Sequence, residues 1–332
     1  MKIDFVIAWV DGSDPAWQAE RRKYRPDTGA DASAARYRDM GILQYWFRAV
    51  EAYAPWVNRI HFITWGHLPD WLNTEHPKLH IVNHRDYIPA EYLPTFSSHP
   101  IELNMHRIPG LSEHFVYFND DMFLNGPVTP DFFFHKGLPC DFAYINNVYN
   151  SDPTEIYQHI RLNCTWTINN HYSYIKAFLR KPGKYASWKY PPKYLLKNIL
   201  KIENKHTFPG FEEHHLPSSF LKRTLVEARE ENRDIIHFTC TNRFRTPLDV
   251  SQYIFRYKQL AQGKFHPVSR SSRGKLTFVT SEISSIERDL LDPELKMICI
   301  NDATDLEEYD EIAEKIRMIY QKKLPNRSAF EK

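Results

Sequence analysis

Residues 114–124 of the chain read HFVYFNDDMFL. The aromatic and β-branched run from Phe115 to Phe118 is typical of a buried strand, and it ends abruptly at Asn119, Asp120 and Asp121. Ligands of open α/β sheets bind at the carboxyl ends of the strands. An acidic cluster at such an end suits a hard divalent cation that carries a diphosphate. The segment predicts a site of this kind, with a solvated turn as the alternative because Asn-Asp sequences are common in turns.

The first 125 residues alternate between strand-like and helix-like segments. The strand-like runs are Ile3 to Val10, Arg59 to Trp65, His80 to His84 and Phe115 to Phe118, and the helical segments are Leu43 to Ala54 and Glu102 to Leu111. The first of these runs is almost continuously apolar, as expected for a central parallel strand that is covered on both faces. Strands that alternate with helices indicate an α/β fold with a Rossmann-like, mostly parallel sheet.

The composition changes after residue 140. The middle of the chain contains Asn/Tyr-rich stretches, a Lys/Pro/Tyr-rich segment from Lys181 to Lys205, and predicted helices at Ser219 to Glu231 and Asp249 to Gln262. We therefore divide the chain into a Rossmann-like region (1–140), a mainly helical substrate region (141–270) and a C-terminal segment that returns to the core (271–332). The C-terminal segment has a predicted strand at Met297 to Ile300 and a predicted helix from Leu306 to about Lys322. The polar stretch from Asp27 to Ala35 predicts a mobile loop.

The overall composition narrows the function class. The net charge of +2 shows no strong polyanion-binding surface, so we expect no nucleic-acid partner. The four cysteines are Cys140, Cys164, Cys240 and Cys299; their wide spacing predicts reduced thiols. The chain begins directly with a strand-like run, and no apolar run approaches membrane-spanning length. We expect a cytoplasmic protein, with peripheral contact at the inner face of the membrane as an open alternative.

Four blocks of sequence occur in a recognisable order. The first is IDFVIAWVDGSDP at 3–15; the second runs from about Arg36 to Phe134 and includes APWV at 54–57, TWGHLP at 64–69, LPTFSS at 93–98 and YFNDD at 117–121; the third runs from HLP at 215–217 through Glu227; the fourth is CIND at 299–302. In these blocks the chain resembles the Stealth proteins, sugar-1-phosphate transferases of bacterial capsule and exopolysaccharide synthesis. Their animal relative is the lysosomal-enzyme N-acetylglucosamine-1-phosphotransferase. One departure is Asp11, where the family often has Asn. A carboxylate accepts hydrogen bonds but does not donate one at neutral pH, so Asp11 cannot make every contact that Asn makes.

The resemblance implies a fold and a reaction. The fold is a Rossmann-like, GT-A-like nucleotide-sugar fold with a largely helical substrate-binding insertion. The donor is a UDP-sugar held with Mg²⁺ or Mn²⁺, and the acceptor is a hydroxyl of a growing, lipid-linked oligosaccharide. The sugar-1-phosphate moves to the acceptor, a phosphodiester forms and UMP leaves. Two alternatives stay open: a conventional metal-dependent glycosyltransferase that releases UDP, which the acidic cluster supports equally, and a non-catalytic carbohydrate-binding module, which only the abundance of aromatic residues supports.

Such a reaction needs charge neutralisation at the diphosphate, in-line positioning and a base for the acceptor hydroxyl. The predicted metal ligands are Asn119, Asp120, Asp121 and Asp302. Asp120 or Asp121 is alternatively the catalytic base. The match at HLP favours His215 as a base or, when charged, as a stabiliser of the phosphoryl group, with His214 as its competitor.

Arg245 precedes the predicted helix that begins at Asp249, where a guanidinium beside a helix N-terminus suits a phosphate. A surface ion pair is the alternative for Arg245 and for its neighbour Arg243. The predicted donor-binding residues are Trp9, Asp11, Gly12, Ser13, Arg38, Ser97, Ser98, His106, Arg107 and Asn301. Trp9 is alternatively a core residue, and the two serines are alternatively helix caps. The lysine-rich run from Lys176 to Lys205 is more typical of a solvated face, with contact to anionic lipid as the alternative.

Overall fold

The computed structural model of the protein describes residues 1–24, 37–149, 152, 155–204, 206–302 and 308–332. The predicted loop from Asp27 to Ala35 lies outside the described residues, and so does the start of the predicted helix at Leu306. No helix within the described ranges is both long and apolar enough to cross a membrane.

The largest sheet contains the four strands that the sequence predicts in the first 125 residues and a fifth strand that it does not predict. These strands are β1 (Ile3–Ala8), β2 (Ile60–Thr64), β3 (Leu79–Asn83), β4 (His114–Phe118) and β8 (Ser218–Leu221). Within the described residues the strand order is β3-β2-β1-β4-β8. The first four strands run parallel, and β8 pairs with β4 in the antiparallel direction at the edge. The mostly parallel α/β sheet is therefore confirmed.

Both faces of this sheet are buried, because successive side chains of a strand point to opposite faces. On β1, Phe5 and Ile7 pack into one core while Val6 packs into the other. On β4, Phe118 joins the first core and Tyr117 joins the second. Covered faces explain why β1 is apolar apart from Asp4, which is itself buried.

Short helices connect these strands. They are α1 (Pro15–Tyr24), α2 (Leu43–Tyr53), α3 (His84–Tyr87), α4 (Ser98–Leu103) and α5 (Pro130–Phe133), with 3₁₀ turns at Ala90–Tyr92 and Met105–Arg107. The predicted helix from Glu102 to Leu111 is wrong in extent, because α4 ends at Leu103 and only a 3₁₀ turn follows. The Asn104 side chain donates to the carbonyl of Pro100 at 2.8 Å, and Gly110 has a φ of 75°, which a helix cannot continue.

The middle of the chain is largely helical, as predicted. Its helices are α6 (Ile156–Asn169), α7 (Tyr174–Arg180), α8 (Pro182–Tyr185), α9 (Pro192–Leu200), α10 (Lys222–Glu231), α11 (Arg233–Thr241) and α12 (Tyr253–Ala261), with a 3₁₀ turn at Lys201–Asn204. The predicted helix start at Ser219 is wrong, because residues 218–221 form β8 and α10 begins at Lys222. The predicted helix at Asp249 begins later, at Tyr253, because buried Asp249 closes a turn by accepting from the amide of Thr246 at 2.9 Å.

The C-terminal segment packs against the N-terminal region. One small sheet consists of β5 (Met122–Leu124), β10 (Lys275–Phe278) and β11 (Met297–Asn301). A second small sheet consists of β6 (Phe134–His135), β7 (Leu138–Asp141) and β9 (His266–Pro267). The remaining helical elements are α13 (Ser284–Leu291), α14 (Tyr309–Lys323) and a 3₁₀ turn at Arg270–Ser272. β11 pairs with β5 in the antiparallel direction. On α14, Tyr320 stacks on Tyr45 of α2 with the ring centroids 5.3 Å apart. Helix α14 therefore returns to the core.

Candidate active site

A cavity of about 920 Å³ lies at the carboxyl ends of β1 and β4. Residues that follow these two strands form its floor, α6 and the segment before α12 form one wall, and β10 and β11 form another. The volume is within the range of pockets that hold ligands of the size of a nucleotide sugar. The position agrees with the general rule for ligand sites in open α/β sheets.

Most of the predicted site residues line this cavity, although they come from all four blocks of the sequence. They are Trp9, Arg38, Ser97, Ser98, Asn119, Asp120, Asp121, His215, Arg245, Asn301 and Asp302. The fold therefore brings the acidic cluster, the predicted base and the predicted phosphate ligand into one space.

Asp121 and His215 form the central contact of the cavity. Nε2 of His215 lies 3.4 Å from Oδ2 of Asp121, and Nδ1 of His215 lies 3.5 Å from the hydroxyl oxygen of Tyr253. Burial alone would lower the pKa of His215, but the hydrogen bond and the charge of Asp121 raise it. Burial alone would raise the pKa of Asp121, but the contact with His215 lowers it. The pair is therefore stabilised as imidazolium and carboxylate.

The backbone of His215 is unusual. Its φ is 44°, a left-handed conformation that non-glycine residues rarely adopt. Such residues persist where the surrounding structure fixes them, and they occur preferentially at functional sites. Next to it, Arg256 of α12 donates to the carbonyl oxygen of Glu212 and to the carboxylate of Glu213, both at 3.1 Å, while it also pairs with Asp141 at 2.8 Å. This buried ion-pair group holds the segment that carries His215.

Asp120 differs from its neighbour in its electrostatic environment. Reduced solvation in the cavity, followed by repulsion from Asp121 and Asp39, raises the pKa of Asp120 to about 7. Two adjacent carboxylates that repel each other are a favourable environment for a cation. Oδ1 of Asp121 is also buried and has no hydrogen-bond partner among the described residues.

The donor atoms favour a hard cation held by oxygen. Asp121, His215 and Cys299 place one possible ligand atom each within 4.8 Å of one another. However, the Cys299 thiol donates to Oδ2 of Asp121 at 3.2 Å, and burial together with Asp121 raises its pKa well above the usual value. The thiol acts here as a hydrogen-bond donor to Asp121, and the two adjacent carboxylates supply oxygen atoms to the site. The carboxylates of Asp120 and Asp121 therefore fit Mg²⁺ or Mn²⁺ better than a soft metal.

Arg245 reaches the cavity from the segment before α12. Its Nη2 donates to Oγ of Ser98 at 2.9 Å. Phe244 stacks on Phe96 with the ring centroids 5.3 Å apart, and this stacking ties the segment to the loop that leads into α4. The helices that the sequence predicts shortly after His215 and Arg245 do not begin there, because β8 follows His215 and a turn precedes α12 after Arg245. The neighbouring Arg243 instead donates to the carbonyl of Pro94 at 2.7 Å.

Several predicted donor ligands have structural contacts as well. Nε1 of Trp9 donates to Asp39 at 3.0 Å, and its ring stacks on Phe62 in the core. Ser97 caps α4 by accepting from the amide of His99 at 3.3 Å. Arg38 pairs with Asp302 at 2.9 Å, so a guanidinium already neutralises the carboxylate that we expected to bind metal.

Five predicted donor-binding residues are absent from the described lining of the cavity: Asp11, Gly12, Ser13, His106 and Arg107. Oδ1 of Asp11 accepts from the amide of Ser13 at 2.8 Å, and a Cβ at Gly12 would lie 1.8 Å from the carbonyl oxygen of Tyr37. These residues build the turn after β1. His106 lines a separate cavity of about 420 Å³, since the 3₁₀ turn that carries it and Arg107 lies away from the strand ends.

The sequence analysis missed two residues that contact the centre of the cavity. Tyr253 approaches His215, and no local motif marks it among the 19 tyrosines of the chain. Glu102 is buried and accepts from the hydroxyl of Tyr117 at 3.3 Å and from the amide of Gln252 at 3.2 Å. The sequence feature that could have identified Glu102 is its position in the second of the four blocks, directly after Ile101.

Comparison with known proteins identifies the family. Family models of Stealth protein conserved regions 1 and 2 match residues 1–29 and 36–140. The chain is 39% identical over 334 residues to the exopolysaccharide phosphotransferase cps2G of Lactiplantibacillus plantarum, which covers 99% of this chain and 96% of that protein. It is 38% identical over 332 residues to the capsular polysaccharide phosphotransferase WcwK of Streptococcus pneumoniae, with 99% of each chain covered. It is 37% identical over 340 residues to the receptor polysaccharide phosphotransferase WefC of Streptococcus oralis, again with 99% of each chain covered.

Among solved structures, the galactosyltransferase LgtC in complex with donor and acceptor sugar analogs aligns with a TM-score of 0.40 and 9% identity, over 96% of this chain and 95% of that chain. This similarity is too low to support a conclusion about activity. The sequence relatives align over nearly their whole length and at well above 30% identity. The chain therefore belongs to the Stealth family of polysaccharide phosphotransferases.

Proposed function

We propose that the chain transfers a sugar-1-phosphate, of a hexose or an N-acetylhexosamine, from a UDP-sugar to a hydroxyl of a growing, lipid-linked capsular polysaccharide or exopolysaccharide. The observation that carries the proposal is the contact between Asp121 and His215, in the same cavity as Arg245. The full-length similarity to proteins named polysaccharide phosphotransferases supports the reaction class. A UDP-sugar donor is consistent with a reaction on the cytoplasmic side of the membrane.

The proposed step is an in-line displacement at phosphorus. The acceptor oxygen forms a bond to the β-phosphorus of the donor, and the bond from that phosphorus to the bridging oxygen breaks. UMP leaves with the bridging oxygen, and the sugar stays attached to the transferred phosphate. The acceptor hydroxyl must lose its proton, so the step requires a base and stabilisation of charge on the phosphoryl oxygens.

His215 is the proposed base, and Asp121 orients it. Because Oδ2 of Asp121 holds Nε2, the ring nitrogen that remains to accept a proton is Nδ1, beside the hydroxyl of Tyr253. Asp121 then stabilises the imidazolium that forms. The raised pKa makes the neutral imidazole of His215 a stronger base, and the role requires the ring to be neutral when the acceptor binds.

We assign the phosphate groups of the donor to a bound metal ion and to Arg245. Asp120 and the free Oδ1 of Asp121 would hold Mg²⁺ or Mn²⁺, which neutralises charge on the donor diphosphate. Arg245, whose Nη2 donates to Ser98, would bind a phosphoryl oxygen through its planar guanidinium. Trp9, Arg38 and Asn301 remain proposed donor contacts, because they line the same cavity.

The released nucleotide distinguishes the proposal from a conventional glycosyltransferase. The purified chain is incubated with a panel of UDP-hexoses and UDP-N-acetylhexosamines and with a lipid-linked acceptor, and nucleotides are separated by chromatography. We expect UMP in equal amount to the product and a phosphodiester signal in the phosphorus NMR spectrum. A reaction without acceptor corrects for donor hydrolysis. Stoichiometric UDP with a phosphorus-free product would overturn the proposal, and no turnover of any donor would favour a binding module.

A further inference from the structure

Residues 171–202, which we call the basic surface segment, have an unusual charge distribution. This segment contains eight cationic residues and no Asp or Glu, in a chain whose net charge is only +2. The cationic residues are Lys176, Arg180, Lys181, Lys184, Lys189, Lys193, Lys197 and Lys201. The segment covers α7, α8 and α9 and the beginning of the 3₁₀ turn after them.

Carboxylates do not neutralise these charges within the described part of the chain. Lys181 donates to the carbonyl oxygen of Gly263 at 3.3 Å, and Lys184 donates to that of Phe265. Lys189 contacts Nε2 of His266 at 2.8 Å, and Lys197 donates to Oδ1 of Asn146 at 2.6 Å. All four partners are uncharged acceptor groups, so the positive field of the segment is retained.

Helix α9 has a polar residue on its buried side and apolar residues on its exposed side. Its buried residue is Asn198, whose side chain accepts from the amide of Ile145 at 2.9 Å and donates to the carbonyl oxygens of Ala143 and Tyr185, both at 2.7 Å. Three apolar side chains of the helix are exposed to solvent instead: Leu196 is 58% exposed, Ile199 43% and Leu200 60%. A surface helix normally buries its apolar residues and exposes its polar ones.

Two further apolar side chains of the segment are exposed. Trp188, between α8 and α9, is 87% exposed, and Leu179 at the end of α7 is 70% exposed. The backbone that presents them is firmly attached, because the hydroxyl of Tyr174 donates to the carbonyl of Asn198 at 2.7 Å and that of Tyr185 to the carbonyl of Leu260 on α12, also at 2.7 Å. Exposed apolar groups on a fixed backbone, in a segment rich in cations, are typical of an interaction surface.

We propose that the basic surface segment docks on an anionic lipid membrane. Exposed tryptophan, leucine and isoleucine side chains enter the boundary between headgroups and acyl chains, while lysines bind the anionic headgroups. A soluble polyanion would engage the lysines but would leave the five apolar side chains in water. The lysines of the segment are thus complementary to the negative charge of such a membrane, and its exposed apolar side chains are complementary to the apolar interior. Docking does not depend on the proposed transfer reaction, although it would hold the cavity near a lipid-linked acceptor.

Vesicle sedimentation with the full chain tests this proposal without any donor or acceptor. The vesicles are phosphatidylcholine alone or phosphatidylcholine mixed with phosphatidylglycerol. The charge variant is Lys176→Glu with Lys193→Glu, and its matched control is Lys315→Glu with Lys322→Glu, which makes the same charge change on α14. The apolar variant is Trp188→Ser with Leu200→Ser, and its control replaces the exposed Leu291 and Met318 by Ser.

We expect binding to the mixed vesicles and little binding to phosphatidylcholine alone. The charge variant should bind at least roughly 30-fold more weakly, because it loses two lysine contacts to the headgroups and gains two glutamates that the anionic headgroups repel. The apolar variant should also bind more weakly, and both controls should bind like the wild type. Circular dichroism and the thermal midpoint establish that every variant is folded.

Three results would overturn the proposal. The first is a wild-type chain that does not sediment with the mixed vesicles. The second is equal loss of binding in a variant and its control, or no loss in the apolar variant. The third is binding to soluble dextran sulfate without binding to vesicles, which would identify the segment as a polyanion site. Nucleotide release is measured separately, so failure of docking and failure of the transfer reaction are distinguishable.

Discussion

Nε2 of His215 lies 3.4 Å from Oδ2 of Asp121 because β4 and β8 are antiparallel neighbours. Asp121 follows β4, His215 precedes β8, and the pairing of Tyr117 with Ser218 places these two ends side by side. The contact is thus a consequence of the sheet topology. It can be tested residue by residue.

Asp121→Asn should reduce kcat strongly while the fold is retained. The substitution keeps the size of the side chain but removes the charge that orients and stabilises His215. Loss of one preorganised contact of this kind costs about 10²–10³ in rate. Asp131→Asn is the control, since the Asp131 side chain is 81% exposed and lies outside the cavity lining. Equal activities of the two variants, measured by UMP release, would contradict the assigned role.

Chelation with EDTA should abolish turnover, and Mg²⁺ or Mn²⁺ should restore it. The reason is the repulsion between Asp120 and Asp121, which a divalent cation relieves. In Asp120→Asn the metal concentration for half-maximal activity should rise. Calorimetric titration of Mn²⁺ into the wild type and this variant measures binding directly. Undiminished turnover after complete chelation would remove the metal from the site.

His215→Ala and Arg245→Lys should both lower kcat/KM, and their effects should be less than additive. His215 is assigned to the oxygen that attacks the phosphorus and Arg245 to an oxygen on the same phosphorus, and residues that act at one reaction centre couple energetically. Lysine keeps the charge of Arg245 but loses its two-pronged geometry. A double-mutant cycle measures the coupling, with the exposed His206→Ala as the control. Additive losses would instead place the two residues in separate subsites.

Arg256→Met should lower the free energy of unfolding by about 3–5 kcal/mol, because it leaves the carboxylates of Asp141 and Glu213 buried without their guanidinium. The exposed Arg288→Met should change it little. Urea denaturation gives both values. A change at Arg256 no larger than at Arg288 would show that the segment carrying His215 does not depend on this ion-pair group.

Asp4→Asn should be destabilising at neutral pH and much less so in acid. Burial alone would raise the pKa of Asp4, but hydrogen bonds from His61, Asn58 and Ser112 outweigh it and lower the pKa. A lowered folded-state pKa stabilises the protein above the unfolded-state pKa of about 3.9, and this stabilisation is lost as the pH falls through the folded-state value. Urea midpoints of both proteins between neutral and strongly acid pH measure the difference. A difference that stayed constant with pH would contradict the prediction.

The sequence predicts the parallel strands well because their signal is local. An almost continuously apolar run such as Ile3 to Ala8 buries its side chains best in a sheet that is covered on both faces. The strand Ser218–Leu221 has no such signal, since its residues are buried only by the neighbours that the tertiary fold provides. It is therefore indistinguishable from the first turn of the helix that follows.

The residues of the candidate site also differ in how far the sequence reveals them. Asp120 and Asp121 are predictable because the carboxyl ends of parallel strands meet at one edge of the sheet. His215 is proposed through the resemblance to the family and Arg245 from the start of a predicted helix, but no helix begins where the sequence predicts one after either residue. Tyr253 approaches His215 from a helix in a distant part of the sequence, and only the packing of that helix reveals it.

The pairing of β8 with β4 also has a consequence for biosynthesis. While the chain is being made, β4 leaves the ribosome with one edge bare, and that edge stays without its partner until residues 218–221 have followed. Bare strand edges promote aggregation. The nascent chain therefore passes through a vulnerable period in which the helical middle must be synthesised before the sheet can be completed. Residues 1–140 expressed alone would be held permanently in that state, and we expect them to require chaperones or to precipitate.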